Sequence, residues 1–256
     1  MAIDYVKRTP RHSSPGQGPA VDLQKLTAQA PGLVNLYKTA RQSLESAGLG
    51  GQRAAVYLVL DRSGSMRRYY KNGAVQRLAE QTLGLSANLD DDGTVPVVFF
   101  STEVDGMAEV RLDAYENRID TLHKSLGRMG TTNYHVAMQA VIDHYTASGA
   151  TDPGLVIFQT DGGPTSRTAA EHVLCTAARL PLFWQFVGFG DPDSKQFDFL
   201  RKLDELPVPA KRIVDNAGFF PAGRKPGLSD DALYRNLMSE FPSWLQSARA
   251  AGILPR

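Results

Sequence analysis

The apolar positions of this chain alternate between two periods along its length. The nearly uninterrupted runs AAVYLVL (54–60), GLVIFQT (154–160) and LFWQFVGF (182–189) predict strands covered on both faces. TVPVVFFST (94–102) predicts another, with Pro96 near its start weakening an inner ladder bond. EVDGMAEVR predicts a short hairpin-like edge about Asp105-Gly106, and KRIVD (211–215) a last strand. Between these runs the period becomes helical. Leu33, Leu36, Tyr37, Ala40, Leu44 and Ala47 share one face of a helix that Pro31 can begin and Gly48 can cap. Val75, Leu78, Ala79, Thr82 and Leu83 mark a second helix, and stretches near 114–126, 134–148 and 167–179 mark three more. Leu233, Leu237 and Phe241 mark a closing helix, broken or restarted at Pro242. Strands alternating with helices predict one doubly wound, mainly parallel α/β sheet.

Composition narrows this picture. With 42% hydrophobic residues among 256, the chain can bury a real core. Residues 1–20 are the exception: Pro10, Pro15, Pro19, Gly16 and Gly18 interrupt a segment without apolar periodicity, which predicts a flexible tail. Its Lys7, Arg8, Arg11 and His12 could touch an acidic partner, but a solvated leader is the favoured reading. Residues 21–50 then form an N-terminal helical extension and 51–256 the main domain. Lys+Arg 28 against Asp+Glu 27 gives a formal net charge of +1, no global field for gripping nucleic acid or an anionic membrane. One cysteine, Cys175, excludes an internal disulfide and every multi-cysteine zinc site. No apolar run approaches the ~20 residues of a membrane span or forms the core of a secretory signal, so the expectation is a cytoplasmic protein.

In doubly wound sheets, ligands bind beyond the carboxyl ends of the strands, near the point where strand order reverses. Three turns at such positions are rich in oxygen: DRSGSM with Asp61, Ser63 and Ser65; GTTNYH with Thr131, Thr132 and Asn133; and TDGGPTS with Thr160 and Asp161. Taken singly, each is also an ordinary turn or helix cap. Taken together they predict one shared site. Two carboxylates and three hydroxyls, without clustered histidine or cysteine, suit a hard cation such as Mg²⁺ rather than zinc or copper. Ser63, Ser65 and Thr132 could bind directly, with Asp61 and Asp161 anchoring coordinated waters and neighbouring hydroxyls. Such an ion, partly neutralised, would attract a carboxylate from outside.

These residues resemble the von Willebrand factor A domains, whose metal-ion-dependent adhesion site uses Asp-x-Ser-x-Ser, a later Thr and a later Asp after a strand. The matching positions are Asp61, Ser63, Ser65, Thr132 and Asp161. Thr132 is chosen over Thr131 because its spacing to Ala137 follows the family's pattern, in which Thr131 occupies a usual glycine position. The likeness spans about 50–215. A narrower one covers most of 20–256: LVNLYKTARQSLES, VYLVLDRSGSM, LDDDGTVPVVFF, GTTNYHVAM, VDNAGFFP and LYRNLMSEFPSWL are similar to the bacterial tellurium-resistance, TerF-like A domains of metal-linked stress-response systems. The resemblance implies a six-stranded, mostly parallel sheet flanked by helices with one short antiparallel edge near 94–111. It also implies non-catalytic protein binding through Mg²⁺, with Mn²⁺ or Ca²⁺ as alternatives, to a partner's acidic side chain.

Two other functions compete. One is a metal-dependent phosphohydrolase with Asp61 as nucleophile, disfavoured by Ser63 where a second carboxylate would act as general acid. The other is a recruiting subunit for an ATPase partner, which would keep the same site. The histidines His12, His123, His135, His144 and His172 show no metal spacing, although His135 borders Thr132. Cys175 is expected to be a buried small hydrophobe, and Phe183, Trp184 and Phe186 core residues rather than a base-stacking platform. Asp90, Asp91 and Asp92 are read as a solvated turn, and Asp191 and Asp193 as an acidic loop.

Overall fold

The computed structural model describes residues 18–223 and 228–255. Residues 1–17 of the expected tail lie outside the described residues. Gly18 to Val21 are held against the domain: Arg53 donates to the Gly18 carbonyl (3.0 Å), and the amides of Ala20 and Val21 donate to Asn88 and Ala87.

Six strands form one sheet: β1 (Ala55–Asp61), β2 (Thr94–Phe100), β3 (Val104–Arg111), β4 (Gly154–Thr160), β5 (Leu182–Phe189) and β6 (Ala217–Gly223). Their order is β3-β2-β1-β4-β5-β6. Every pairing is parallel except β2 with β3. The mostly parallel doubly wound sheet with one antiparallel edge is therefore present. β2, β4 and β5 are buried throughout, as their continuous apolar runs require.

Among the described residues, ten α-helices cover the two faces: α1 (Leu23–Gln29), α2 (Val34–Ser46), α3 (Arg67–Lys71), α4 (Ala74–Leu89), α5 (Arg118–Ser125), α6 (Tyr134–Ser148), α7 (Arg167–Ala177), α8 (Asp198–Asp204), α9 (Asp230–Leu237) and α10 (Phe241–Ala250). One core joins α2, α4, α9 and α10 to side chains such as Leu58, Leu60, Ile157 and Phe183. The other joins α6, α7 and α8 to Tyr57, Val59, Phe158 and Phe186. Strand alternation alone sorts neighbours in β1 between these cores. Side-chain caps from Asp22, Ser166 and Ser229 start α1, α7 and α9, each worth about 1 kcal/mol. Pro31 opens a 3-10 turn ahead of α2, and Gly48, at φ 72°, follows its end. The closing helix is restarted as expected, with α10 beginning at Phe241-Pro242.

Four expectations are corrected. The last strand is β6, not 211–215. Arg212 turns inward there and donates to the Leu206 and Asp204 carbonyls, which makes the segment a loop. The strand itself holds Gly218, Pro221 and Gly223, breakers that an outermost strand tolerates. The β2–β3 reversal lies at Ser101–Glu103, where the Ser101 amide donates to the Glu103 carbonyl (2.8 Å), and Asp105-Gly106 belong to β3. Gly106 serves a close approach instead: a Cβ there would lie 2.8 Å from Leu126. Pro96 sits one residue before the β1–β2 ladder begins at Val97, so that ladder does not need its missing N–H. Cys175 is half-buried rather than enclosed.

Candidate metal centre

The order of the sheet reverses between β1 and β4, the place where a doubly wound fold leaves a crevice. Leu60 pairs with Gln159, so the next residues, Asp61 and Thr160, end their strands side by side. Thr160 Oγ1 donates to Asp61 Oδ2 at 2.6 Å, and the Ser63 amide donates to Asp61 Oδ1 at 2.6 Å. Gly64–Met66 then make one 3-10 turn into α3. This turn brings Ser63 Oγ to 3.1 Å from Ser65 Oγ, and Ser65 Oγ donates to Asp161 Oδ1 at 2.7 Å. Four of the five expected residues thus form one hydrogen-bonded cluster.

The fifth, Thr132, lies two residues after Gly130, which is bonded to the Ser63–Gly64 turn. Ser63 bridges to Gly130, and the Gly64 amide donates to the Gly130 carbonyl (3.1 Å). On the other side, the Thr165 amide donates to the Thr132 carbonyl (2.7 Å). Thr131 is committed elsewhere: its amide donates to Thr102 Oγ1 (3.0 Å), and the two hydroxyls lie 3.1 Å apart. Gly130 is needed for this approach, because a Cβ would sit 2.4 Å from Thr102 Oγ1.

Asp61 is fully buried, and Ser63 and Asp161 nearly so, whereas Ser65 is exposed and Thr132 half-buried. Burial pushes the Asp61 carboxyl up to about 7, although its bonds from Thr160 and Ser63 oppose the rise. Burial also raises Asp161, against the Ser65 hydrogen bond and the nearby Arg68 charge. The groups so gathered, two carboxylates and the hydroxyls of Ser63 and Ser65, present only oxygen donors. The donor set therefore fits a small hard cation. Among the described residues, no group of three or more His, Cys, Asp or Glu is placed to hold a metal, so hydroxyls must complete any such site.

Sequence reasoning missed the supports of this cluster. The Arg62 side chain is 1% exposed and points away from Asp61. It donates to Asp105 Oδ2 (2.6 Å), to the Gly127 carbonyl (2.8 Å) and to His123 Nδ1 (3.2 Å). Asp105 in turn accepts from Ser101 Oγ, and the Ser101 carbonyl accepts from the Asn133 amide. Arg62 thereby ties the Asp61 turn to the loop that carries Thr132. His123 stacks on Tyr70 at 3.9 Å, and the Tyr70 hydroxyl donates to the Asp61 carbonyl. Tyr134, with its hydroxyl donating to the Gly162 carbonyl, fixes the Asp161 turn from α6. An arginine directly after a strand reads as solvated, and nothing in the sequence pairs it with Asp105.

The remaining residues behave as ordinary structure. His144 lies beside Tyr57 and His172 is exposed. His135 is half-buried near Thr132 with Nδ1 unpartnered. His12 lies outside the described residues. Phe183, Trp184 and Phe186 are core residues, Asp90 to Asp92 turn into β2, and the Asp193 amide bonds Asp191.

A six-stranded sheet with an oxygen-lined turn at its reversal point defines a von Willebrand factor A domain. The chain belongs to the vWA-TerF-like family, described as the vWA found in the TerF C terminus, whose model matches residues 53–254. It is 34% identical over 221 residues to the uncharacterized protein YcbR of Bacillus subtilis (strain 168), covering 85% of this chain and 88% of that protein. Among solved structures, it is similar to manganese-loaded TRAP protein of Plasmodium vivax at 20% identity, over 72% of this chain and 74% of that one, with a TM-score of 0.45. It is also similar to proximal thread matrix protein 1 of the mussel byssus with a zinc-occupied MIDAS motif, at 15% identity over 77% of this chain and 48% of that one, with a TM-score of 0.45. No helix among the described residues is long and apolar enough to cross a membrane.

Proposed function

We propose that this protein is a non-catalytic binding module whose Asp61, Ser63, Ser65, Thr132 and Asp161 hold a divalent cation, Mg²⁺ first and Mn²⁺ or Ca²⁺ as alternatives. The observation that carries this reading is the Ser63–Ser65–Asp161 chain of oxygens beside Asp61 at the sheet's reversal point. Bound there, such an ion supplies an electrophilic position that a partner protein's Asp or Glu completes. Ser65 lies at the exposed lip, while Thr160 and the Ser63 amide hold the Asp61 carboxylate from below. The family supports a bacterial tellurium-resistance or metal-stress process, and the free Cys175 thiol suits a cytoplasmic setting.

Phosphohydrolysis is the weaker reading. A nucleophilic Asp61 would need an open oxygen, yet the residue is fully buried and both oxygens accept hydrogen bonds. Calorimetric titration of Mg²⁺ and Mn²⁺ into wild type and Asp61→Ala tests the proposal. Binding is expected to disappear in the variant with circular dichroism unchanged. Equal binding by both proteins ends the assignment, and Asp61-dependent phosphatase turnover would replace it with the hydrolase.

A further inference from the structure

His123 offers its lone pair to the donor of a cation. Arg62 Nε donates to its Nδ1 at 3.2 Å. A neutral imidazole carries one N–H and one lone-pair nitrogen, so this bond occupies the lone pair and leaves the proton on Nε2. An imidazolium has no lone pair to offer and would set two positive charges against each other at that contact. His144 meets no such conflict, since its Nδ1 lies 3.1 Å from the Tyr57 hydroxyl, a group that accepts as readily as it donates.

Arg62 grips the segment leading to Thr132 at two points, His123 on α5 and the Gly127 carbonyl (2.8 Å) just beyond it. Tyr70 stacks on the His123 ring at 3.9 Å, and the Tyr70 hydroxyl is itself bonded to the Asp61 carbonyl (3.1 Å). A cation over a tyrosine face is attracted to it, so the stack keeps a charged ring in place and the guanidinium has to give way. We propose that His123 is a positioning residue for the metal site: its neutral ring holds Arg62, and protonation in acid loosens the loop that carries Thr132 and weakens the bound cation. The proposal rests on the metal-dependent reading above and concerns the regulation of that same site.

His123 is half-buried, so protons from solvent reach it. The charged groups facing it are Arg62 at the end of β1 and, on α5 itself, Asp120 and Lys124. β3 contributes Asp105 through Arg62, and α3 contributes Tyr70. α4 meets α5 through Gln76, which accepts from the Ile119 amide (2.9 Å). Burial first and Arg62 second hold the imidazole below its ordinary range; Lys124 acts in the same sense and Asp120 opposes it. The bond to Arg62 is therefore made at neutral pH and lost on the acid side.

Calorimetric titration of Mg²⁺ at about pH 7.5 and about pH 5.5 would compare wild type with His123→Asn, whose amide oxygen accepts from Arg62 but never titrates. The two proteins are expected to agree within about twofold at the higher pH, and wild type should lose about fivefold more affinity than the variant at the lower. Protonation of Asp61 and Asp161 weakens Mg²⁺ in both proteins and cancels in that ratio. Reciprocity supplies a second readout on wild type alone: saturating Mg²⁺ should lower the ring's titration midpoint, followed by NMR, by about 0.7, the logarithm of the same factor. Equal losses in the two proteins, or a midpoint that Mg²⁺ does not move, overturns the proposal and leaves the metal reading standing. So does a variant already about tenfold weaker at the higher pH, because the ring would then act by its packing and not by its charge. Mg²⁺ binding by neither protein at either pH sinks the metal reading, and this proposal with it.

Discussion

Buried charge is handled differently at the two ends of this sheet. At the amino end, Arg212 is fully enclosed and donates to the Asp204 and Leu206 carbonyls, with Asp215 at 2.8 Å and Glu240 nearby. That cluster of carboxylates contains its own guanidinium. At the carboxyl end, the equally buried Arg62 stands next to Asp61 in sequence but reaches Asp105 instead. Asp61 is left to hydroxyl and amide donors, which satisfy its lone pairs without neutralising its charge. One carboxylate cluster holds a guanidinium of its own; at the other, the proposed cation would take that place.

Removing the two arginines tests this contrast most severely. Either Arg62→Ala or Arg212→Ala deprives buried acceptors of their donor, with an expected loss on the order of 3 kcal/mol in urea unfolding. The consequences for Mg²⁺ should diverge. Arg62→Lys, which keeps the charge but not the fork, should weaken Mg²⁺ about tenfold because it loosens the tie to the Thr132 loop. Arg212→Lys should leave the titration unchanged. Equal Mg²⁺ affinities in the two lysine variants would deny Arg62 its positioning role.

A finer test lies within the GTTNYH turn. Thr132→Ala should weaken Mg²⁺ about tenfold, as loss of one neutral oxygen ligand, while Thr131→Ala should leave it alone. The reverse result would move the assignment to Thr131 and contradict the contacts that hold it at Thr102.

The smallest effect concerns pH at the amino end. Burial, reinforced by the neighbouring carboxylates, holds Asp204 and Glu240 above the ordinary carboxylate range. The folded protein thus keeps protons that the unfolded chain releases. Stability from this cluster is full in acid and is lost as pH rises from the ordinary carboxylate range toward neutrality. Glu240→Gln should flatten that part of a denaturation-midpoint profile; an unchanged slope would place the titration elsewhere.

Much of this was legible along the chain. β4 and β5 begin and end where their apolar runs do, because a strand covered on both faces leaves no polar position to blur its ends. β6 was not legible, since its glycines and proline contradict strand propensity and only its position at the edge excuses them. α1 and α8 also went unread. Each has seven residues, too few for an apolar period to show, and each is held by packing of residues such as Leu26, Leu200 and Leu203. The five oxygen-bearing residues could be listed from spacing, yet their supports could not.

Local chemistry was enough to specify that β1 would run apolar to Asp61 and then turn through serines, because burial period and turn propensity act over a few residues. Whether Asp61 meets Asp161, one hundred positions away, depended on β1 and β4 lying side by side. So did the service of Arg62 to Asp105. These are distances across the fold, and no local pattern encodes a distance between segments before the sheet has assembled.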